Sequence, residues 1–312
     1  MSKSSAIAVL SDEGHLEMTK HILYSSYVYG NWQGDYILLA HNVRDQSKLQ
    51  WFYDRGIEVL PTHEFANVDE VFTPQTSIYY SKLRLFHPDC QRWNAILYLD
   101  TDMIVQWDIN ALVDQKGFAA AYDCARFPLI HQFSPRDSRL SEEEYAEVAR
   151  QLIGYQLSVP AFNAGMMVID SRNNSIQRYE SLMNLVERFK HISTFGDQGI
   201  LNLYFQNRFI PLPYVYNDFF QSDAFNRDGL LKRNSCDDAV ILHLTYPHKP
   251  WNPESSFHTR WLEYTKKSEY LFTTPQLGKS LPRWRLWRTE FINAYNQYRT
   301  GLRKFWKKSD YL

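Results

Sequence analysis

Short, wholly apolar runs separated by helix-spaced segments are the strongest constraint on this chain. Ala6 to Leu10 is apolar throughout and breaks at Ser11-Asp12-Glu13-Gly14, after which His15 to Tyr29 carries apolar residues at helical spacing until Gly30. The alternation repeats, with Tyr36 to Ala40 as strand, Arg44 to Arg55 as helix, Ile57 to Leu60 as strand, Ser77 to Phe86 as helix and Ala95 to Leu99 as strand. A strand with no polar face is buried on both sides, and helices between parallel strands supply that cover. The reading is therefore an α/β chain with a Rossmann-like, mostly parallel sheet and helices on both faces. Phe118 to Tyr122, Met166 to Ile169 and Val240 to Leu244 read as further strands, and Ser175 to Phe189 and Asp197 to Phe205 as helices. A polar excursion holds Ser141-Glu142-Glu143-Glu144, a capping box for a helix ending near Gly154, where a lid or acceptor-binding insertion would sit. Ligands of open sheets bind beyond the carboxyl ends of strands, so residues following Leu10, Leu99, Tyr122 and Leu244 are the first candidates.

Composition narrows the classes. The 312 residues suffice for one large domain or two small ones, and the net charge of −1 gives no reason to expect a nucleic-acid partner. Cys90, Cys124 and Cys236 are odd in number and never paired as C-x-x-C, which argues against a disulfide framework or a zinc site and for a reducing compartment. No apolar run is long enough to span a bilayer, and Ala6 to Leu10 is too brief for a secretory core, so a cytoplasmic location is expected.

Four stretches carry chemistry. Asp100-Thr101-Asp102 follows the apolar Ile96-Leu97-Tyr98-Leu99, and residues two apart on extended chain share a face, so both carboxylates can reach one hard cation. The plainer reading is a solvated turn. His243 closes the last apolar strand and Lys249 follows on the same loop. An imidazole joining two carboxylates suits Mn²⁺ better than Ca²⁺, and a lysine neutralises a diphosphate, although a lone histidine beside a strand is also an ordinary core residue. In Phe162-Asn163-Ala164-Gly165 the small residues let backbone approach a ligand, and Asn163 both donates and accepts. Gly196-Asp197-Gln198-Gly199 opens a helix, and the plainer reading of Asp197 is a helix cap and nothing more.

With Tyr80-Ser81-Lys82-Leu83 and Lys249-Pro250-Trp251, these blocks resemble, in order and spacing, the glycosyltransferase family 8 of glycogenin and the bacterial lipopolysaccharide galactosyl- and glucosyltransferases. The resemblance covers residues 1–255 and implies a GT-A catalytic domain there, with residues 256–312 as a basic, aromatic-rich helical extension. It implies a hexosyltransferase that takes glucose or galactose from a UDP-sugar with retention of configuration, on Mn²⁺ with Mg²⁺ as substitute. The acceptor would be a glycan, glycolipid, lipopolysaccharide or protein. By the same resemblance Asp100, Asp102 and His243 bind the metal, while Lys82 and Lys249 face the donor. Asn163, Asp197 and Gln198 hold the transferred sugar, with Asp123 beside them. Leu10, Ser11, Thr101, Ala164 and Gly165 complete the donor-binding set. Tyr246 departs from the family, which usually has glycine there.

Retention through double displacement wants a carboxylate under the ring. Gln198, an amide, matches the residue nearest that face, so front-face departure and attack is expected, with Asp197 and Gln198 orienting the sugar. Two rivals use the same residues: Leu99 to Ile104 also looks like the aspartyl-phosphate loop of haloacid dehalogenase-type phosphatases, and a non-catalytic sugar- or membrane-binding relative would keep the fold without the reaction. Finally, Trp284, Trp287, Phe291, Tyr295, Tyr298, Leu302 and Phe305 follow helical spacing behind Ser280 and Pro282, among Lys279, Arg283, Arg285, Arg288, Arg299, Arg303, Lys304, Lys307 and Lys308. The plainer reading of such a stripe is core packing, but its make-up resembles tails by which bacterial family members attach to anionic membranes, which implies peripheral contact through residues 280–308.

Overall fold

The computed structural model describes residues 4–63, 78–123, 128–133, 142–219 and 236–295. Ser77, Cys124, Ser141 and the tail residues from Tyr298 onward, with their basic neighbours from Arg299 to Lys308, lie outside the described residues. The strands are β1 (Ala6–Asp12), β2 (Asp35–His41), β3 (Glu58–Thr62), β4 (Ile96–Leu99), β5 (Met103–Val105), β6 (Phe118–Tyr122), β7 (Phe162–Ile169), β8 (Ile210–Leu212), β9 (Asp218–Phe219) and β10 (Ile241–His243); the apolar runs form the seven expected, and β5, β8 and β9 are additional. Seven of them build one sheet in the order β3-β2-β1-β4-β7-β6-β8. All neighbours are parallel except β7, which runs antiparallel to both β4 and β6.

Successive residues of a strand point to opposite faces. Ile7, Val9, Leu97 and Leu99 therefore enter one core, with Ile22 and Leu23 of α1 (Lys20–Val28) and Phe52 of α2 (Gln50–Tyr53). Ala6, Ala8, Leu10, Ile96 and Tyr98 enter the other, with Leu182 and Val186 of α4 (Ile176–Phe189) and Ile200 and Leu201 of α5 (Asp197–Tyr204). The polar excursion carries α3 (Glu142–Gln151), and Gly154 beyond it takes φ 97°, a backbone conformation that favours glycine.

Three expectations change in detail. The Arg44 to Arg55 helix shrinks to a 3₁₀ turn, Gln46–Leu49, and the single turn of α2. Asp45 accepts from Ser47 N and Gly56 leaves the segment at φ 66°. Residues 78–80 are helical, but Ser81–Phe86 is a 3₁₀ turn. The last apolar run does not join the main sheet: β10 pairs antiparallel with β5 and parallel with β9, in a second sheet of order β5-β10-β9. Strands as short as β5 and β9 carry no readable periodicity, so their sequence could not announce this sheet.

The stretch after residue 255 begins in the core. Phe257, and Tyr264 of α6 (His258–Lys267), pack with Leu271 against the α1 layer, and Tyr24 and Tyr29 meet the Tyr264 ring at 5.4 and 5.3 Å. Residues 283–295 are helical. Leu281 and Leu286 touch the core, Arg285 and Arg288 pair with the buried Asp238, and Glu290 accepts from Tyr214 N at 3.0 Å. The opposite side presents Trp284, Trp287 and Phe291, which are 61%, 79% and 70% exposed. Among the described residues no helix is long and apolar enough to cross a membrane.

Candidate active site

β4 ends at Leu99 and the chain turns through Asp100, Thr101 and Asp102 into β5. Two pairings fix this turn. Asp100 N donates to Gly165 O at 2.8 Å, which ties it to β7, and Leu244 N donates to Asp102 O at 2.9 Å, which ties it to the end of β10. The carboxylates of Asp100 and Asp102 and the imidazole of His243 thereby converge, with one ligand atom from each lying within 4.8 Å of the others. Asp102 and His243 are buried, Asp100 partly so, and His243 Nε2 lies 3.3 Å from Asp102 Oδ1. Neither the solvated-turn reading of Asp102 nor the plain core-histidine reading of His243 describes this arrangement.

The donor set, two carboxylate oxygens and an imidazole nitrogen, is the mixed hard and intermediate chemistry that suits Mn²⁺ or Mg²⁺. Gly165 leaves the room. A Cβ on it would stand 2.7 Å from His243 Cε1, 2.8 Å from Asp100 Oδ2 and 2.9 Å from Asn163 Oδ1, so any side chain there would push the tips of His243 and Asp100 aside. The residues present thus fit a divalent cation.

Two lysines compensate the carboxylates. Lys249 pairs with Asp102 from the loop after β10. Lys82, buried in the turn Ser81–Phe86, lies 3.2 Å from Asp100 Oδ1 and 3.5 Å from Asp197 Oδ2, over the Tyr98 ring. Burial works against the Lys82 ammonium, but Asp100 and Asp197 outweigh it and raise its pKa above the ordinary lysine value. Burial likewise opposes ionisation of Asp102, yet His243 and Lys249 hold its carboxyl well below the usual range. Asp197 is the contrasting case: burial, with Asp100 adding and Lys82 only partly offsetting, pushes it up to about 7.

Gly196 reaches the start of α5 at φ 56° and is itself the cap residue, which places Asp197 in the first turn rather than at the cap. Asn163, on β7, donates through Nδ2 to Gln198 Oε1 at 2.9 Å and accepts at Oδ1 from Gly165 N. Ala164 N donates to the same Gln198 oxygen. Asp123, just past β6, accepts from Gln132 Nε2. Leu10 and Ser11 are buried at the end of β1, Thr101 is half-buried in the turn, and Tyr246 is 85% exposed on the His243 to Lys249 loop.

Sequence reasoning missed four neighbours. Tyr98 donates to Asp100 Oδ1 at 2.7 Å, and its place two residues before Asp100 on one strand could have flagged it. Phe219 stacks on His243 with centroids 4.7 Å apart, Asn217 meets His243 Nδ1 at 2.8 Å, and Gln132 accepts from Gln198 Nε2 at 2.8 Å. No motif spacing points to those three.

Solved structures similar in fold include two glycosyltransferases. The chain superposes on the WbbM bifunctional glycosyltransferase with a TM-score of 0.61 at 18% identity, over 88% of this chain and 52% of that one. The galactosyltransferase LgtC, solved with donor and acceptor sugar analogues, gives a TM-score of 0.55 at 17% identity, over 86% and 97%. These likenesses define the fold as the GT-A type. The family model described as Glycosyl transferase family 8 matches residues 36–255, and the chain belongs to that family. Among curated relatives, GlyF of Streptococcus pneumoniae is 25% identical over 82% of this chain and 60% of its own length. A lipopolysaccharide 1,2-glucosyltransferase of Escherichia coli is 28% identical over 58% and 51%, and galactinol synthase 7 of Arabidopsis thaliana 28% over 62% and 57%. The chain thus spans little more than half the length of these relatives. Family membership and the fold both speak against the phosphatase reading of Leu99 to Ile104.

Gly165→Ala is expected to displace side-chain tips rather than unfold the chain. Titration should show Mn²⁺ affinity reduced about 10-fold or more at an unchanged far-ultraviolet spectrum. Unchanged affinity would mean that the three groups do not act at one point.

Proposed function

We propose that this enzyme transfers a hexose, glucose or galactose, from a UDP-sugar to a glycan, glycolipid, lipopolysaccharide or protein acceptor, with retention of configuration. The convergence of Asp100, Asp102 and His243 carries the reading. A divalent cation there, Mn²⁺ or in its place Mg²⁺, would act as Lewis acid toward the diphosphate leaving group. Lys249 pairs with Asp102 and Lys82 with Asp100, positive charge of the kind needed to neutralise phosphate when the donor binds. Leu10, Ser11, Thr101, Ala164 and Gly165 would complete the donor pocket. The names of the relatives, a glucosyltransferase and a galactinol synthase among them, agree with a hexose donor.

Retention is assigned to front-face departure and attack. Gln198 Oε1 already accepts two hydrogen bonds, from Asn163 Nδ2 and Ala164 N, so it orients the sugar and does not attack it. Asp197 faces the same region with its Oδ2 approached by Lys82 at 3.5 Å, a carboxylate with acceptor capacity left for a sugar hydroxyl. Asn163 and Asp123 would hold the remaining hydroxyls.

We further propose that residues 1–255 are the catalytic unit and that the extension 256–312 adds contact with an anionic membrane surface on the cytoplasmic side. Trp284, Trp287 and Phe291 support it, exposed at i, i+3 and i+7 on one helix face. Arg285 and Arg288 are engaged at Asp238, so the charge for such contact would come from Lys279, Arg283 and the basic residues beyond 295.

A panel of UDP-sugars with Mn²⁺ should give one donor that raises the melting temperature and is slowly hydrolysed, and Asp102→Ala should abolish that hydrolysis. Hydrolysis that survives Asp102→Ala and chelation contradicts the metal assignment. Replacing Trp284, Trp287 and Phe291 together by Ser should abolish sedimentation with phosphatidylglycerol vesicles and leave donor hydrolysis intact, whereas undiminished sedimentation removes the membrane role from this face.

A further inference from the structure

Side-chain amides form an unbroken line between His243 and Asp123, and each donates in the same direction. Asn217 Oδ1 lies 2.8 Å from His243 Nδ1, and Asn217 Nδ2 donates to Asn163 Oδ1 at 2.9 Å. Asn163 Nδ2 donates to Gln198 Oε1 at 2.9 Å, Gln198 Nε2 to Gln132 Oε1 at 2.8 Å, and Gln132 Nε2 to Asp123 Oδ2 at 3.3 Å. The chain cannot be turned end for end. Gly165 N donates to Asn163 Oδ1 and Ala164 N to Gln198 Oε1, both at 2.9 Å, so each of these amides must present oxygen to the backbone. At the far end Asp123 Oδ2 accepts, which places the NH₂ of Gln132 there. Asn217 and Gln132 are fully buried, where an amide facing the wrong way leaves donors against donors.

The direction propagates to His243. Asn217, with its NH₂ committed to Asn163, turns its oxygen to Nδ1, so Nδ1 carries a proton and Nε2, on the side of Asp102, is the nitrogen that can give its lone pair to a cation. Phe219, stacked on the ring, holds its plane. We infer that Asn217 and Gln132 are positioning residues: their one-way amide chain fixes His243 with Nε2 as the metal-binding atom and orients Asn163 and Gln198 in register with it. The sugar-facing and metal-facing halves of the site are thereby set as one unit. This rests on the reading of His243 as a metal ligand.

Two near-isosteric variants test it by Mn²⁺ titration, read from the electron paramagnetic resonance signal of the free ion and independent of turnover. Asn217→Leu removes both donor and acceptor and should weaken Mn²⁺ binding about 10- to 100-fold. Asn217→Asp keeps an acceptor for Nδ1 but no donor for Asn163. It should retain wild-type Mn²⁺ affinity while kcat for donor hydrolysis falls by up to about 100-fold. Equal Mn²⁺ affinity in wild-type and Asn217→Leu protein overturns the inference. So does a loss of affinity shared by both variants, which is what a packing role alone produces. Where the leucine variant does not fold, the split between affinity and kcat in Asn217→Asp decides alone. Wild-type protein that holds no Mn²⁺ contradicts the metal assignment itself, a result distinct from either of these.

Discussion

Ionised carboxylates withdrawn from water must be met by positive charge or by donors, and that requirement organises the end of the sheet where β4 stops. Asp102 is buried there beside the half-buried Asp100, and Asp197, buried as well, is the carboxyl whose compensation is incomplete. Lys82, Lys249 and His243 supply the compensation, each from a different part of the chain; Lys249 and Asp102 are 147 positions apart. Only tertiary structure brings them together. The antiparallel placement of β7 beside β4 delivers Gly165 to Asp100, and the β5–β10 pairing delivers His243 to Asp102. Both are departures from a plain parallel sheet, and both fall at the site.

The same segment that holds His243 also receives the C-terminal helix. Residues 283–295 dock through Glu290 on Tyr214 N and through Arg285 and Arg288 on Asp238, and the stretch from Tyr214 to Phe219 carries Asn217 and Phe219 to His243. One face of the helix is therefore committed to the α/β core while the aromatic face stays open. The basic, aromatic composition of the tail thus has two physical causes: Arg285 and Arg288 answer the buried Asp238, and Trp284, Trp287 and Phe291 answer whatever meets the outer face.

Much of this was legible in the residues. Fully apolar strands such as Ala6 to Leu10 and Ile96 to Leu99 demand cover on both faces, and that alone announces the two-layered α/β core. Asp100 and Asp102 stand out because they end such a strand, and Asn163, Asp197 and Gln198 because small residues flank them. The second sheet was not legible, since β5 and β9 are too short to impose a period and their pairing is decided by what lies across from them. Nor were Asn217 and Gln132, whose amides sit in no motif and matter only through partners far along the chain. Composition reads charge well, but it cannot separate an arginine that docks a helix from one that faces solvent, as Arg288 shows.

The convergence of Asp100, Asp102 and His243 on one cation bears the weight of the account. It is tested most directly by anomalous diffraction at the manganese absorption edge, from crystals of the protein grown with Mn²⁺ and UDP. The account predicts a single strong peak within bonding distance of both carboxylates and of His243 Nε2, with the diphosphate completing its coordination. A UDP-bound crystal with no manganese peak between those three side chains, or with His243 turned away from it, would contradict the account.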